Sequence, residues 1–296
     1  MNDTGADSGD PGGRVQLASI HIYPMKAGRA VDLQQSRVEP WGLAGDRRWL
    51  LVDEDSRFVS QREEPSLARV TVAAQPAAGM ISVSSPEVPS GQIAVPAADA
   101  ELLKVTVWGS VLMAAEAGAV ADAWFSAYLG RPVRLVYLDD PTRRAVDPEF
   151  GQDGDVVSFA DGYPLLLTST GSLAELGQWL ADDGDQPVPM TRFRPNVVVA
   201  GARPWDEDHW HRIRIGAVTF RVAKPCGRCV VTTTDQVTGQ RGSQPLKMLA
   251  RRRRFGKQLV FGQNMIPDQL LAGGDVIRVG DPVEILERDQ PGPARR

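Results

Sequence analysis

Apolar residues in this chain come in short runs of about four to eight, and turn-forming residues close nearly every one of them. The first half reads "VQLASIHIYP", "RRWLLVDED", "RFVSQRE", "ARVTVAAQP", "MISVSS", "QIAVPA" and "KVTVWGS", rich in Val, Ile and Thr and bounded by Gly, Pro, Asp or Ser. Runs this short suit antiparallel strands closing into a small barrel or sandwich. "VDEDSRF" sets acidic residues between two such runs and is the expected hairpin turn.

The second half mixes in helices. "AVADAWFSAYLG" spaces Val120, Trp124 and Tyr128 at helical intervals with Phe125 beside them, and Gly130 to Pro132 stop the helix. "TGSLAELGQWLADDG" puts Leu173, Leu176 and Leu180 on one face, with Thr170 or Ser172 as the expected cap and Gly184 following. "NVVVAGA", "HRIRIGAVTFRVA", "CVVTTTD" and "DVIRVGDPVEIL" read as strands. Helix and strand alternate too poorly for a parallel doubly wound sheet, which leaves a strand-rich α+β fold. Charge and proline break the apolar pattern at "VYLDDPTRR". The expected division is therefore residues 14–138 and 139–287, with disordered tails at 1–13 and 288–296.

At 296 residues and 42% hydrophobic content the chain can bury a sizeable core. Its 33 basic and 37 acidic residues give a net charge of −4, which supplies no general drive toward nucleic acid or an anionic membrane. The leading "MNDTGADSGDPGGR" has no hydrophobic signal region, and no apolar run approaches the length of a membrane span. A cytoplasmic protein with reduced thiols is expected.

The two cysteines lie three apart in "KPCGRCVVTTTDQVTG". A redox dithiol needs its first thiolate at a helix N-terminus, and the β-branched residues after Cys229 disfavour one. Structural zinc needs four ligands, with His209 and His211 the nearest candidates in an uncommon order. Two packed thiols beside a strand is the plainest reading of the pair alone.

The segment resembles the cofactor-cysteine motif of MOSC-domain proteins, the group that includes the mitochondrial amidoxime-reducing component. Further segments resemble that family in its own order: "IYPMKAGRAVDL", "GLAGDRRWLLVDEDSRFVSQREEPSLARV", "FADGYPLLLTSTGSLAEL", "FRPNVVVAGARPWDEDHW" and "FGQN…GGDVIRVGDPVEIL". The resemblance implies an N-terminal β-barrel-like domain packed on a MOSC β-barrel domain. It also implies a molybdenum-pterin cofactor, with Cys229 as the one protein thiolate on the metal and Cys226 dispensable. The pterin already brings two sulfurs, and soft thiolates suit such a metal.

Carried over position by position, the resemblance makes Lys26, Ala27 and Arg47 neighbours of the cofactor's phosphate. Arg194 and Asn196 of "FRPN" go to the pterin ring. Gly162, Tyr163, Gly227, Arg228 and Asn264 complete the set. Ala27 and Gly227 stand where animal members have serine, and Asn264 where they have tyrosine, so backbone must serve where those side chains are missing. The implied reaction is two-electron reduction of an N-hydroxylated or other N-oxygenated small molecule. An iron–sulfur cluster needs about four cysteines, so none is expected in this chain, and a separate ferredoxin or flavoprotein must supply the electrons. The alternative within the family is a sulfur carrier that holds a persulfide on Cys229. Of the run Arg251 to Arg254, most residues face solvent on any regular element, and the run offers a docking patch for an acidic electron carrier.

Overall fold

The computed structural model describes residues 14–268 and 275–289. The expected tail at 1–13 lies outside these residues, and of the tail expected from 288 only Arg288 and Asp289 are described, Arg288 closing a strand.

The fold is α+β and strand-rich. A nine-stranded sheet runs in the order Val283–Arg288, Trp210–Ile215, Val218–Gly227, Gln258–Asp268, Leu165–Ser169, Val197–Ala200, Gln16–Ile22, Val31–Leu33, with the short strand Arg254–Phe255 paired beside Gln258–Asp268. Among the described strands only Leu165–Ser169 and Val197–Ala200 pair in parallel, and the helix Thr170–Asp182 forms their crossover. A second sheet orders Trp49–Val52, Arg134–Tyr137, Ser110–Glu116 and Leu102–Val107. The opening strand Gln16–Ile22 hydrogen-bonds to Val197–Ala200, so the start of the chain is woven into the sheet of the second half.

Alternation places the core. Leu17, Ile20, Ile213, Ile215, Val218 and Phe220 point inward from three strands and meet Leu165, Leu167, Val197, Val199 and Met265. Each such side chain contributes roughly 1.5–3 kcal/mol on burial, which outweighs the weak local preferences of strands this short. A separate cluster around Trp49, Leu51, Leu67, Phe125 and Leu135 fills the first half.

Four local expectations change. "RFVSQRE" is not a strand: Arg57 and Phe58 make single bridges, and the chain then turns, with the amides of Glu63 and Glu64 both bonded to the carbonyl of Ser60. The helix Ala119–Leu129 buries Ala121 and Phe125, with Trp124 and Tyr128 packed beside them, while Val120 is 71% exposed. The helix after "LLLTS" is capped by Ser169, whose hydroxyl accepts from the amide of Ser172 at 3.0 Å. The Ser172 hydroxyl is committed to the buried Glu207 at 2.6 Å. "CVVTTTD" forms a 3₁₀ turn over Val230–Thr233. There the Thr232 and Thr233 hydroxyls donate to the carbonyls of Cys229 and Val230 at 2.9 and 2.8 Å, a local alternative to a strand ladder.

Candidate functional site

Loops at the ends of these strands enclose one cavity of about 950 Å³, solvent at its mouth included. Lys26, Ala27, Arg47, Gly162, Tyr163, Arg194, Asn196, Gly227, Arg228, Cys229 and Asn264 all border it. Cys226, Phe58, Gln61, Arg62, Trp108 and Asp161 border it as well.

Lys26 is 7% exposed; its ammonium donates to the carbonyl of Phe159 at 2.8 Å and to Asp161 Oδ1 at 2.5 Å. Burial pulls the Lys26 pKa down, opposed by the Asp161 charge. The Asp161 side chain is largely exposed, and the Lys26 charge and hydrogen bond hold its carboxyl well below the usual carboxylate range. Asp161 therefore stays ionised.

Arg47 is fixed from three directions: it donates to Asp46, to Asn196 Oδ1 at 2.8 Å, and to the carbonyl of Arg194 at 3.2 Å. Arg47 and Arg194 both lie against the buried ring of Tyr23, their guanidinium carbons 4.3 and 4.2 Å from its centroid. Arg194 also donates to the carbonyl of Gly28 at 2.7 Å and to Gln236 at 3.1 Å. Burial pushes Tyr23 up to about 12 and pulls Arg194 down to about 10. Gly42, at a φ of +129°, lets this framework close: a Cβ there would meet the carbonyl oxygen of Pro164 at 2.8 Å.

Asn196 is only 1% exposed, and its amide is saturated. The oxygen accepts from Arg47 and from the amide of Leu166, and the nitrogen donates to His21 O and Asp46. Its geometry makes it a brace for Arg47. Arg194, just before Pro195, adopts a left-handed φ of +56°. Ala27, Arg47 and Trp108 share that conformation at 69°, 48° and 54°. Four of the six described non-glycine residues with positive φ thus border this cavity, which is where stored backbone strain concentrates in functional sites.

The cysteine loop is less constrained. Both cysteines are free and half-buried. Arg228 donates to Cys226 Sγ at 2.8 Å and to the carbonyl of Phe193 at 2.6 Å, and its amide bonds the carbonyl of Leu259 at 2.7 Å. Cys229 precedes the 3₁₀ turn in extended conformation, and among the described residues its thiol has no hydrogen-bond partner. Asn264 braces the approach with long bonds to the carbonyls of Lys224 and Pro225 at 3.4 and 3.5 Å. Cys226, expected as a packed thiol, is a cavity residue held by Arg228. His209 and His211 pair with Asp289, and among the described residues no group of three or more His, Cys, Asp or Glu could hold a metal ion.

The cavity fits an anionic, polar ligand with a soft metal. Lys26, Arg47, Arg62, Arg194 and Arg228 border it against one lining carboxylate, Asp161. Of the side-chain polar atoms buried without partners among the described residues, the Tyr163 hydroxyl borders the cavity and is a donor that a polar ligand there would satisfy. Arg228 Nε is a second, though arginine Nε atoms are orphaned elsewhere in the fold too. A Cβ added at Gly162 would meet nothing, so the backbone there lies open to the cavity.

Sequence reasoning missed Tyr23, Asp46, Gln61, Arg62, Trp108, Asp161 and Gln236. Gln236 donates to Gln61 at 3.2 Å, and Gln61 donates to the carbonyl of Ala27 at 2.6 Å, tying the loop after Cys229 to the loop after Lys26. The acid beside Arg47 in "GDRR" was the one local signal.

A MOSC N-terminal beta barrel domain matches residues 14–132 and a MOSC domain matches residues 154–284. This chain belongs to the family of MOSC-domain proteins that carry the MOSC N-terminal β-barrel domain. It is 30% identical to mitochondrial amidoxime-reducing component 1 of Xenopus laevis over 92% of this chain and 82% of that one, and 29% identical to the Homo sapiens protein of that name over 91% and 82%. It is also 27% identical to the molybdenum cofactor sulfurase of Oryza sativa subsp. japonica, over 94% of this chain and 35% of the relative. Of these relatives the sulfurase is named for the molybdenum cofactor. No helix among the described residues is long and apolar enough to cross a membrane.

Proposed function

We propose that this chain is a molybdenum-pterin oxidoreductase that reduces N-hydroxylated or other N-oxygenated small molecules, with electrons from a separate ferredoxin or flavoprotein. One observation carries the reading: eleven residues drawn from segments far apart in sequence border a single cavity, with a free thiol in the same wall as a buried cluster of cations.

Cys229 Sγ is the protein's ligand to the metal, and the bound group supplies two-electron oxygen-transfer chemistry. Lys26 and Arg47 hold the terminal phosphate, pre-positioned by Asp161 and by Asp46 with Asn196. Arg194 and Arg228 direct donors at the pterin, while Ala27, Gly162 and Gly227 offer backbone at close approach. Asp161 steadies Lys26 and, kept ionised, is no proton donor near neutral pH. Two electrons and two protons convert an N–OH group to N–H and water, with protons drawn from solvent at the open mouth. A reducing cytoplasm keeps both cysteines as thiols.

The test is expression in a host that makes the pterin cofactor, followed by metal analysis and benzamidoxime reduction with reduced methyl viologen. Stoichiometric molybdenum and turnover are expected; metal-free protein without turnover sinks the reading. The match to molybdenum cofactor sulfurase favours a second reading, in which Cys229 carries a persulfide. Cyanide-labile sulfur on metal-free protein is its signature.

A further inference from the structure

We infer that the face formed by Arg252, Arg254, Phe255 and Lys257 is where an acidic one-electron carrier protein docks to deliver electrons to the cysteine loop. The inference rests on the reductase reading and names the surface that reading needs.

The segment "RRRRFGK" ends the helix Leu246–Arg252 and turns through the short strand Arg254–Phe255 into the strand Gln258–Asp268. It is locked in place by its one buried member. Arg253 is 7% exposed, pairs with Asp208, and lies 4.0 Å from the ring centroid of Trp205, while Gln263 donates to the same carboxylate at 2.7 Å. Fixing Arg253 inward turns its neighbours out, and Arg252, Arg254 and Lys257 are exposed. Among the described residues these three form no ion pair, unlike Arg251, which meets Asp183 at 2.6 Å. Arg252 lies 5.6 Å from the Trp179 ring centroid and Arg254 reaches the carbonyl of Ala250 at 3.5 Å, contacts that leave their charge unneutralised. Three exposed cations without a paired carboxylate among the described residues thus make a local positive field on a chain of net charge −4.

Phe255 stands in their midst, 49% exposed. Aromatic side chains flanked by cations are what a transient protein interface uses as an anchor within a charged rim.

The patch adjoins the site through hydrogen bonds. Phe255 pairs with Gln258, and a Cβ on Gly227 would meet the Gln258 side chain at 3.1 Å. Gly227 pairs with Val260, and the amide of Arg228 bonds the carbonyl of Leu259. A carrier seated on Phe255 therefore sits against the strand that bonds directly to the residues flanking Cys229. The occupant is a small acidic redox protein: the surface is positive, and electron-transfer partners use small, charged, short-lived contacts.

The experiment uses the loaded full chain and the triple variant Arg252→Glu, Arg254→Glu, Lys257→Glu, with an acidic [2Fe–2S] ferredoxin and its reductase as the donor and, in a parallel arm, reduced methyl viologen. The expected result is an apparent KM for ferredoxin raised at least about tenfold, with viologen-driven turnover within about twofold of wild type. Added salt should weaken the wild-type dependence on ferredoxin and leave that of the variant flat. Affinity for oxidised ferredoxin, measured by calorimetry, should fall in step. A milder variant, Arg254→Gln with Lys257→Gln, should show the same ordering and guards against misfolding. An unchanged KM and affinity overturn the inference, as does equal loss in both electron-supply arms of both variants. Absence of viologen turnover in the wild type sinks the reductase reading instead, and unchanged ferredoxin affinity in the variants then overturns the docking surface by itself.

Discussion

The cation cluster and the cysteine loop share one cavity wall and are held in contrasting ways. Lys26, Arg47 and Asn196 are buried, and each is fixed by partners from segments more than a hundred residues away. Cys226 and Cys229 are half-buried, and the thiol of Cys229 is committed to nothing among the described residues. Buried charges must be paired to survive desolvation, so the cluster is rigid before any ligand arrives. A thiol carries no such penalty and can wait for a metal. One region is preorganised for binding, the other left free for chemistry.

The largest expected effect breaks this comparison at the thiol. Cys229→Ser should abolish benzamidoxime reduction and lose molybdenum, whereas Cys226→Ser should keep most of both, since Arg228 retains its bond to Phe193. Metal content and viologen-driven turnover on the same preparations decide it. Equal loss from both would make the pair a functional dithiol.

The next tests the rigidity of the cluster. Asp46 accepts from Arg47, from Asn196 and from the amide of Tyr23, all buried. Asp46→Ala should cost about 3–5 kcal/mol in a denaturant melt, because it leaves the Arg47 charge buried without its counterion. A loss below about 1 kcal/mol would mean that water reaches Arg47 and that the cluster is not preorganised.

Lys26→Ala should behave differently. Its partner Asp161 is largely exposed, so the orphaned carboxylate is solvated and the fold loses little. Cofactor retention should weaken by about 1–3 kcal/mol, the scale of a charged hydrogen bond, as read by oxidised-pterin fluorescence after dialysis. Undiminished retention would move the phosphate away from Lys26.

Much of this was legible in the sequence, for reasons that also mark the limit. Period-two patterns placed the strands, because "HRIRIGAVTFRVA" reports which side of its own strand is apolar. Colinear motifs brought the eleven lining residues to one list. Nothing in a local pattern tells one strand which loop lies across from it. Asp161 and Gln236 therefore stayed invisible, since their partners Lys26 and Gln61 lie 135 and 175 residues away. The cap at Ser169 was missed because its residue still belongs to a strand, and the turn after Cys229 because threonine hydroxyls can satisfy carbonyls that a β-branched run was expected to place in a ladder.

The smallest effect sharpens the comparison at the rim, where the two regions meet solvent. Trp108 occupies the two-residue turn between Leu102–Val107 and Ser110–Glu116 at a φ of +54°, a conformation that suits Asn better than a bulky aromatic. It is 41% exposed, with Phe58 at 4.7 Å and the Arg62 guanidinium 4.3 Å from its ring, and its indole donates to Asp161 at 3.3 Å. Trp108→Asn relieves the backbone by roughly 1 kcal/mol and gives up an exposed cation–π contact worth about 0.5–1 kcal/mol. With the Phe58 contact and the bond to Asp161 given up as well, the losses slightly exceed the relief, so the melting temperature should fall by no more than a few degrees. If the strained tryptophan serves the cavity, KM for an aromatic amidoxime rises while the fold is unchanged, because Arg62 loses its support. A higher melting temperature with unchanged KM would show the turn to be strained for no purpose at the site, and would confine the preorganised region to the buried cations.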